Sequence, residues 1–253
     1  MNQSVERALV VLEELQTGAK RLGDLAATLG THKSTVLRIL QTLEARGFVR
    51  REETGAYRLG LRMLELGATA LEDLDLRSAA RDGLEKLAGA IGETVHLALL
   101  DRGSVVYLDK VESTHPVRMY SRVGATAPAH CTGVGKVLLA YTPYDAWPEL
   151  TLTRFTPDTI TDVGALQAAG DAIRARGWGT DEREHEDSIR CIAAPVFDTR
   201  GNVAAAISVS APAVRLSAED LAGHIPDLLD CARTVTRELG GDTGLVGPRA
   251  EGT

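Results

Sequence analysis

The stretch Thr31-His-Lys-Ser-Thr-Val-Leu-Arg-Ile-Leu-Gln-Thr-Leu-Glu-Ala-Arg-Gly-Phe-Val-Arg-Arg-Glu-Glu-Thr-Gly-Ala-Tyr-Arg-Leu-Gly60 decides the reading of the whole chain. Val36, Ile39, Leu40 and Leu43 recur at steps of three and four, so the segment over residues 31–47 is expected to supply a helix with one apolar face. Ser34, Thr35, Arg38, Gln41 and Thr42 then project outward, as short polar and basic side chains suited to the base edges and phosphates of a major groove. Lys33 and Ser34 stand at the helix start, where free backbone N–H groups also favour phosphate. After Gly47 the residues alternate as a hairpin with Glu52 to Gly55 as its turn, and Arg50, Arg51 and Arg58 line its strands as a wing.

Upstream, Leu22, Leu25, Ala26 and Leu29 predict a short helix closed by Gly30, and the tight glycine turn joins it to the next helix as a helix-turn-helix. Val5, Ala8, Leu9, Leu12 and Leu15 predict a first helix over residues 4–16 with that stripe packed inward. Charge supports the assignment. The 253-residue chain carries a formal charge of -7, but residues 1–60 carry +2 and residues 61–253 carry -9. Within residues 31–51, Lys33, Arg38, Arg46, Arg50 and Arg51 face only Glu44, a footprint for phosphate that the net charge conceals. The bland alternative is a three-helix packing module with a solvated basic face.

The pattern KSTVLRILQTLEARGFVRR, followed by GAYRLG, resembles the winged helix-turn-helix of the IclR family of bacterial transcriptional regulators, and the similarity runs to about Gly240. It implies an α+β chain with a winged helix-turn-helix over residues 1–60, a linker helix over 61–76 and a GAF-like effector-binding domain over 77–240. Residues 241–253, glycine-rich and without apolar pattern, are expected to be a disordered tail. Leu61, Leu64, Ala68 and Leu71 make an apolar seam on the linker. The resemblance implies that this helix pairs two chains, in a homodimer or dimer of dimers, over a pseudo-palindromic operator in double-stranded DNA with half-sites about 34 Å apart.

From Ser78 the patterns predict a helix (Leu84, Leu87, Ala88, Ile91) and the strands ETVHLALL and VVYLDKVES. A further strand PVRMYS leads into HCTGVGKVLLAY, which becomes a helix. An amphipathic helix DVGALQAAGDAIRARG, two more strands RCIAAPVFD and VAAAISVSAP, and a helix over residues 218–239 bent near Pro226 complete a largely antiparallel sheet flanked by helices. Gly133-Val134-Gly135-Lys136 is not a phosphate loop, because His130 and Val137 stand where a glycine and a hydroxyl are required. The backbone N–H groups of Gly133, Val134 and Gly135 are nonetheless expected to approach an anion such as a carboxylate; the alternative is a helix start packed under a sheet that binds nothing. Ser208 and Ser210 share a strand face. Cys191 opens the neighbouring strand, and Asp181 precedes it beside a DEREHED loop expected to be mobile.

Matched to the family's pocket motifs, HCTGVGK, GWGTDE, IRCIAAPVFD and AISVS imply Met119, Ala127, Gly133, Val134, Asp181, Cys191, Ser208 and Ser210 as ligand-binding residues. The run from Lys110 to Ala140 most resembles the branch that senses sugar acids such as 2-keto-3-deoxygluconate. In that reading Arg118 or a backbone nest holds the carboxylate, while Asp181 and the serines read hydroxyls. Arg118 and Tyr120 lie on an alternating strand, so whether Arg118 faces the pocket stays open. Function is thus expected to be ligand-controlled transcription, repression being the likelier family mode, in the cytoplasm, without cofactor, metal or membrane partner: no apolar run approaches the ~20 residues of a membrane span. Two other readings compete. One is a Cys131–His130 enzyme, or a metal sensor using His130, Cys131, Asp181 and Cys191; the other is an architectural DNA-binding protein with an inactive sensor domain.

Overall fold

The computed structural model describes residues 3–72, 75–117, 119–147 and 149–248, and separates the chain into two compact units, residues 1–74 and 75–253. In the first, α1 (Gln3–Glu14), α2 (Leu22–Thr28) and α3 (Lys33–Ala45) precede a two-stranded wing, β1 (Val49–Arg51) and β2 (Tyr57–Leu59), and then α4 (Leu61–Glu72). Val11, Leu15, Leu25, Ala26, Val36, Leu40, Val49 and Tyr57 form one core in which all three helices and both strands take part. Gly47 ends α3 at φ +75°, a conformation that costs glycine nothing, and the chain enters β1 directly. Gly60 closes the wing: a Cβ there would lie 2.1 Å from Gly47 O.

One expectation for α1 is overturned. Val5 and Leu9 are each 55% exposed, because the face that meets α2 and α3 is centred on Val11 and Leu15, with Ala8 half-buried beside them. The outward pair joins Leu61 (76%) and Leu64 (71%) of α4 among large apolar side chains left to solvent in this unit. The side chains of Ala68 and Leu71, the rest of the anticipated seam, lie outside the described residues.

The second unit begins with α5 (Asp75–Ile91), three residues before the expected start, and continues with β3 (Thr94–Asp101), β4 (Ser104–Val111) and β5 (Thr126–Pro128). After these come α6 (Gly133–Ala140), α7 (Val163–Arg176), β6 (Gly179–Glu182), β7 (Ile189–Phe197), β8 (Val203–Pro212), α8 (Ala218–Ala222) and α9 (Ile225–Glu238). The six strands form one antiparallel sheet in the order β5-β4-β3-β8-β7-β6. Helices α5 and α9 pack on one face, while α6 covers the other and carries α7. The sheet is therefore buried on both sides. Strands β7 and β8 show it: nearly every residue along them is enclosed.

Several expectations for this unit are corrected. The described residues of PVRMYS, 116–117 and 119–121, form no strand; the Arg215 guanidinium pairs with the buried Glu93 (2.5 and 2.6 Å) and donates to Val117 O at 2.8 Å. Arg118 lies outside the described residues. The short edge strand β5 was not anticipated. The final helix is two, broken at Gly223 and His224, with Pro226 in the first turn of α9, where its missing N–H costs nothing. The DEREHED segment is not a free loop: Asp181 and Glu182 belong to β6, and Asp181 and Glu184 are buried. The region after Gly240 is not free of structure as far as Pro248. Asp242 caps a 3-10 turn at Thr243–Leu245, Val246 is 3% exposed, and Arg233 donates to Val246 O.

Candidate functional site

The first unit places its basic residues as the sequence predicts. On α3, Lys33, Ser34, Arg38, Gln41 and Thr42 are exposed and Thr35 is half-buried, while Val36 and Leu40 are fully enclosed. No side chain caps the α3 N-terminus, so its first backbone N–H groups stay available to phosphate. Thr42 returns its hydroxyl hydrogen to Arg38 O, which leaves its oxygen as acceptor. On the wing Arg50 stands opposite Arg58 in register, both exposed. Like charges directly opposite cost stability, so this pairing points to an anionic partner. Glu52 offsets part of it through Arg58 Nε at 2.8 Å, and Arg51 lies over the Tyr57 ring.

In the second unit, small residues bring α6 against the sheet. A Cβ on Gly135 would sit 2.3 Å from Ala129 O, and one on Gly133 would meet Cys191 Cβ at 3.3 Å. Gly135 N–H is engaged by the Thr132 hydroxyl, so its glycine serves packing and the expected three-amide cradle reduces to Gly133 and Val134. Opposite them, the registers Cys191↔Ser210 and Ala193↔Ser208 set Cys191, Ser208 and Ser210 on the face that α6 covers. Asp181 enters from β6 beside Cys191. Tyr107, Met119, Thr132, His185, Glu186 and Ile189 complete the lining of a tight cavity with only about 10 Å³ of free space.

Seven of the eight anticipated pocket residues line this cavity; Ala127 does not. It sits on β5 at the sheet edge, in the apolar cluster around α6. The sequence reading missed Tyr107, Thr132, His185, Glu186 and Ile189. Tyr107 is recoverable from alternation along β4, but the His185 position depends on a turn at Arg183, which holds φ +63°. A larger open groove of about 360 Å³ lies near Tyr141, Tyr144 and Phe197, yet its cation Arg174 is spent on Ala140 O, Tyr144 Oη and Asp171.

The electrostatics of the cavity are those of a closed, acid-poised space. Burial pushes the Asp181 carboxyl up to about 7, although Glu184 N–H donates to its Oδ1 at 2.7 Å. Burial likewise raises Glu184, against the opposing pull of Lys136, with which it pairs; its Oε2 is buried without a hydrogen-bond partner. The Cys131 thiol is pushed up to about 12 and that of Cys191 well above its ordinary value, both by burial first, so neither offers a thiolate nucleophile near neutrality. His130 is buried with Nε2 3.0 Å from Thr153 O, a structural bond rather than a base beside a nucleophile. Among the described residues, no three His, Cys, Asp or Glu gather as a metal site, and no helix is long and apolar enough to cross a membrane.

Comparison with known proteins agrees with both units. Residues 4–53 match the IclR helix-turn-helix domain, and residues 68–237 match the bacterial transcriptional regulator IclR C-terminal domain. The chain is 39% identical over 246 residues to the HTH-type transcriptional regulator KdgR of Escherichia coli (strain K12), covering 94% of each. It is 33% identical over 245 residues to the HTH-type transcriptional repressor AllR of Klebsiella pneumoniae, covering 94% of this chain and 90% of that one. Among solved structures, an IclR homolog complexed with 4-hydroxybenzoate from Microbacterium hydrocarbonoxydans superposes with a TM-score of 0.82 at 25% identity, over 94% of this chain and 99% of that one.

Proposed function

Because this chain belongs to the IclR family of bacterial transcriptional regulators, which bind DNA through the helix-turn-helix and a small effector through the C-terminal domain, we propose a specific division of labour among its residues. Arg38, Gln41, Ser34, Thr35 and Thr42 read bases, while Lys33, Arg50, Arg51 and Arg58 hold phosphates. The protein acts in the cytoplasm as a repressor of a catabolic operon for a carboxylic or sugar acid; its likeness to the transcriptional regulator KdgR and the transcriptional repressor AllR supports this reading.

The observation that carries the effector assignment is the meeting of unlike chemistries around one cavity. On one side stand the amides of Gly133 and Val134 at a helix N-terminus, and on the other Ser208, Ser210 and Asp181. Amides at a helix start suit a carboxylate, and hydroxyls beside a protonatable acid suit a polyol chain. The Microbacterium homolog is complexed with 4-hydroxybenzoate, an aromatic hydroxy acid, which supports the acid class. Met119 and Cys191 supply apolar contact.

A second copy of the chain covers Leu61 and Leu64, and with them Val5 and Leu9, in a homodimer that pairs two recognition helices on a pseudo-palindromic operator; two such dimers form the tetramer. The test is thermal unfolding with aldonic, keto-deoxy and short keto acids, followed by fluorescence anisotropy on DNA from the protein's own promoter. The expected result is one acid class that raises the unfolding temperature and shifts DNA affinity. Promoter DNA bound no better than random duplex, or no acid that moves either readout, refutes the proposal.

A further inference from the structure

Behind the serine wall of the cavity lies an imidazole with no place in the division of labour above. His96, on β3, is 1% exposed and pairs in register with Ser208, so its ring points to the cavity side of the sheet. Nε2 lies 2.7 Å from Ser121 Oγ, Nδ1 lies 3.5 Å from Ser210 Oγ, and the Tyr107 ring lies tilted by 41° with its centroid 4.8 Å away. Ser210 Oγ also receives the Cys191 thiol hydrogen at 3.2 Å. Burial, reinforced by the nearby Lys110 ammonium, drives the His96 pKa down to about 3, so the ring is neutral in any physiological buffer.

A neutral imidazole donates from one nitrogen and accepts at the other. The two distances admit either tautomer; with Nε2–H donating to Ser121, Nδ1 is left to accept from Ser210, whose hydrogen rotates about its C–O bond to reach it. Ser210 thereby spends its one hydrogen on the histidine. What it shows the cavity is lone-pair density, part of it already met by Cys191.

We propose that His96 is a specificity-determining residue of the effector site: by taking the Ser210 hydrogen it makes that serine an acceptor, so the sheet wall selects a ligand hydroxyl and rejects a carboxylate or keto oxygen. The inference rests on the reading of this cavity as the effector site. An acceptor placed at Ser210 meets another acceptor, and turning the hydroxyl toward it strands Nδ1 unsatisfied in a buried site. The ligand carboxylate is left to Gly133 and Val134 at the opposite wall, and the ligand is oriented with its hydroxylated carbons against β8.

Two measurements on the full-length protein test this. In protein carrying ¹⁵N-labelled histidine, two-bond proton–nitrogen correlation reads the His96 tautomer directly and needs no variant; Nε2–H is expected throughout the neutral range, and Nδ1–H overturns the inference. Calorimetry with gluconate and adipate, six-carbon acids with and without a hydroxylated chain, then compares wild type with His96→Phe and His96→Asn. The gluconate-over-adipate ratio is expected to fall about tenfold in His96→Phe, which has no acceptor, and to persist in His96→Asn, whose amide oxygen replaces Nδ1. An unchanged ratio in a folded His96→Phe protein overturns the inference alone. Wild-type protein that binds neither acid overturns the effector-site reading and this inference with it.

Discussion

Asp181→Asn isolates the electrostatic cost of the cavity. Asparagine keeps the volume and retains an oxygen for the Glu184 N–H, but it carries no titrating proton. In the folded wild type burial holds the Asp181 proton until about pH 7, against an ordinary value of 3.8 for the unfolded chain. Between those limits the folded state binds the extra proton, so wild-type stability falls as pH rises through the window and levels off above it. The gap of roughly three pKa units, at about 1.4 kcal/mol each, amounts to about 4 kcal/mol at most, of which about 3 kcal/mol falls between about pH 5 and about pH 8. The variant loses this slope. Urea unfolding followed by tryptophan fluorescence reports on the right unit, since the protein's two tryptophans, Trp147 and Trp178, both lie in it. The stability difference, variant minus wild type, should widen in favour of the variant across that range. Parallel stability–pH curves for the two proteins would show that Asp181 is ionised and solvated, and the account of a dry, acid-poised cavity would fall.

Other consequences are open to simpler assays. Gly135→Ala drives a methyl into Ala129 backbone and should cost roughly 3 kcal/mol or more through displacement of α6, seen as a lower urea midpoint for the tryptophan transition and an unchanged DNA-binding unit. Arg50→Ala should lower the slope of log affinity against log salt by about one and leave operator preference intact, whereas Arg38→Ala should cost about 1–3 kcal/mol of discrimination at one base position; competition anisotropy separates the two. Arg215→Ala strands the buried Glu93 and frees Val117 O, so a destabilisation of about 3–5 kcal/mol is expected, together with faster proteolysis between residues 113 and 121.

The elements legible in the sequence were those whose partners are local. The α3 period, the Gly47 stop and the Glu52–Gly55 turn fix the DNA-reading unit within thirty residues, and α6, β7 and β8 follow from long apolar runs. What eluded the sequence depends on contacts across long separations. Val5 and Leu9 carry the right spacing for a core stripe, but spacing alone does not say which arc of α1 meets its neighbours. PVRMYS has strand composition, yet its described residues form no strand, and a guanidinium almost a hundred residues later donates to Val117 O. The acidic DEREHED run reads as solvated, while Lys136 and the Glu184 N–H draw two of its carboxyls inside. His96 alternates like any strand residue, and only the β3–β8 register brings it to Ser210.

The central pairing of β3 with β8 joins residues 94–98 to residues 206–210. Roughly four-fifths of the chain must therefore leave the ribosome before the sensor's middle strands can meet, whereas the α1–β2 head has all its own partners by residue 60. A chain cut short in between holds the complete core of the α1–β2 head but lacks β8, and with it the Ser208 and Ser210 wall of the cavity.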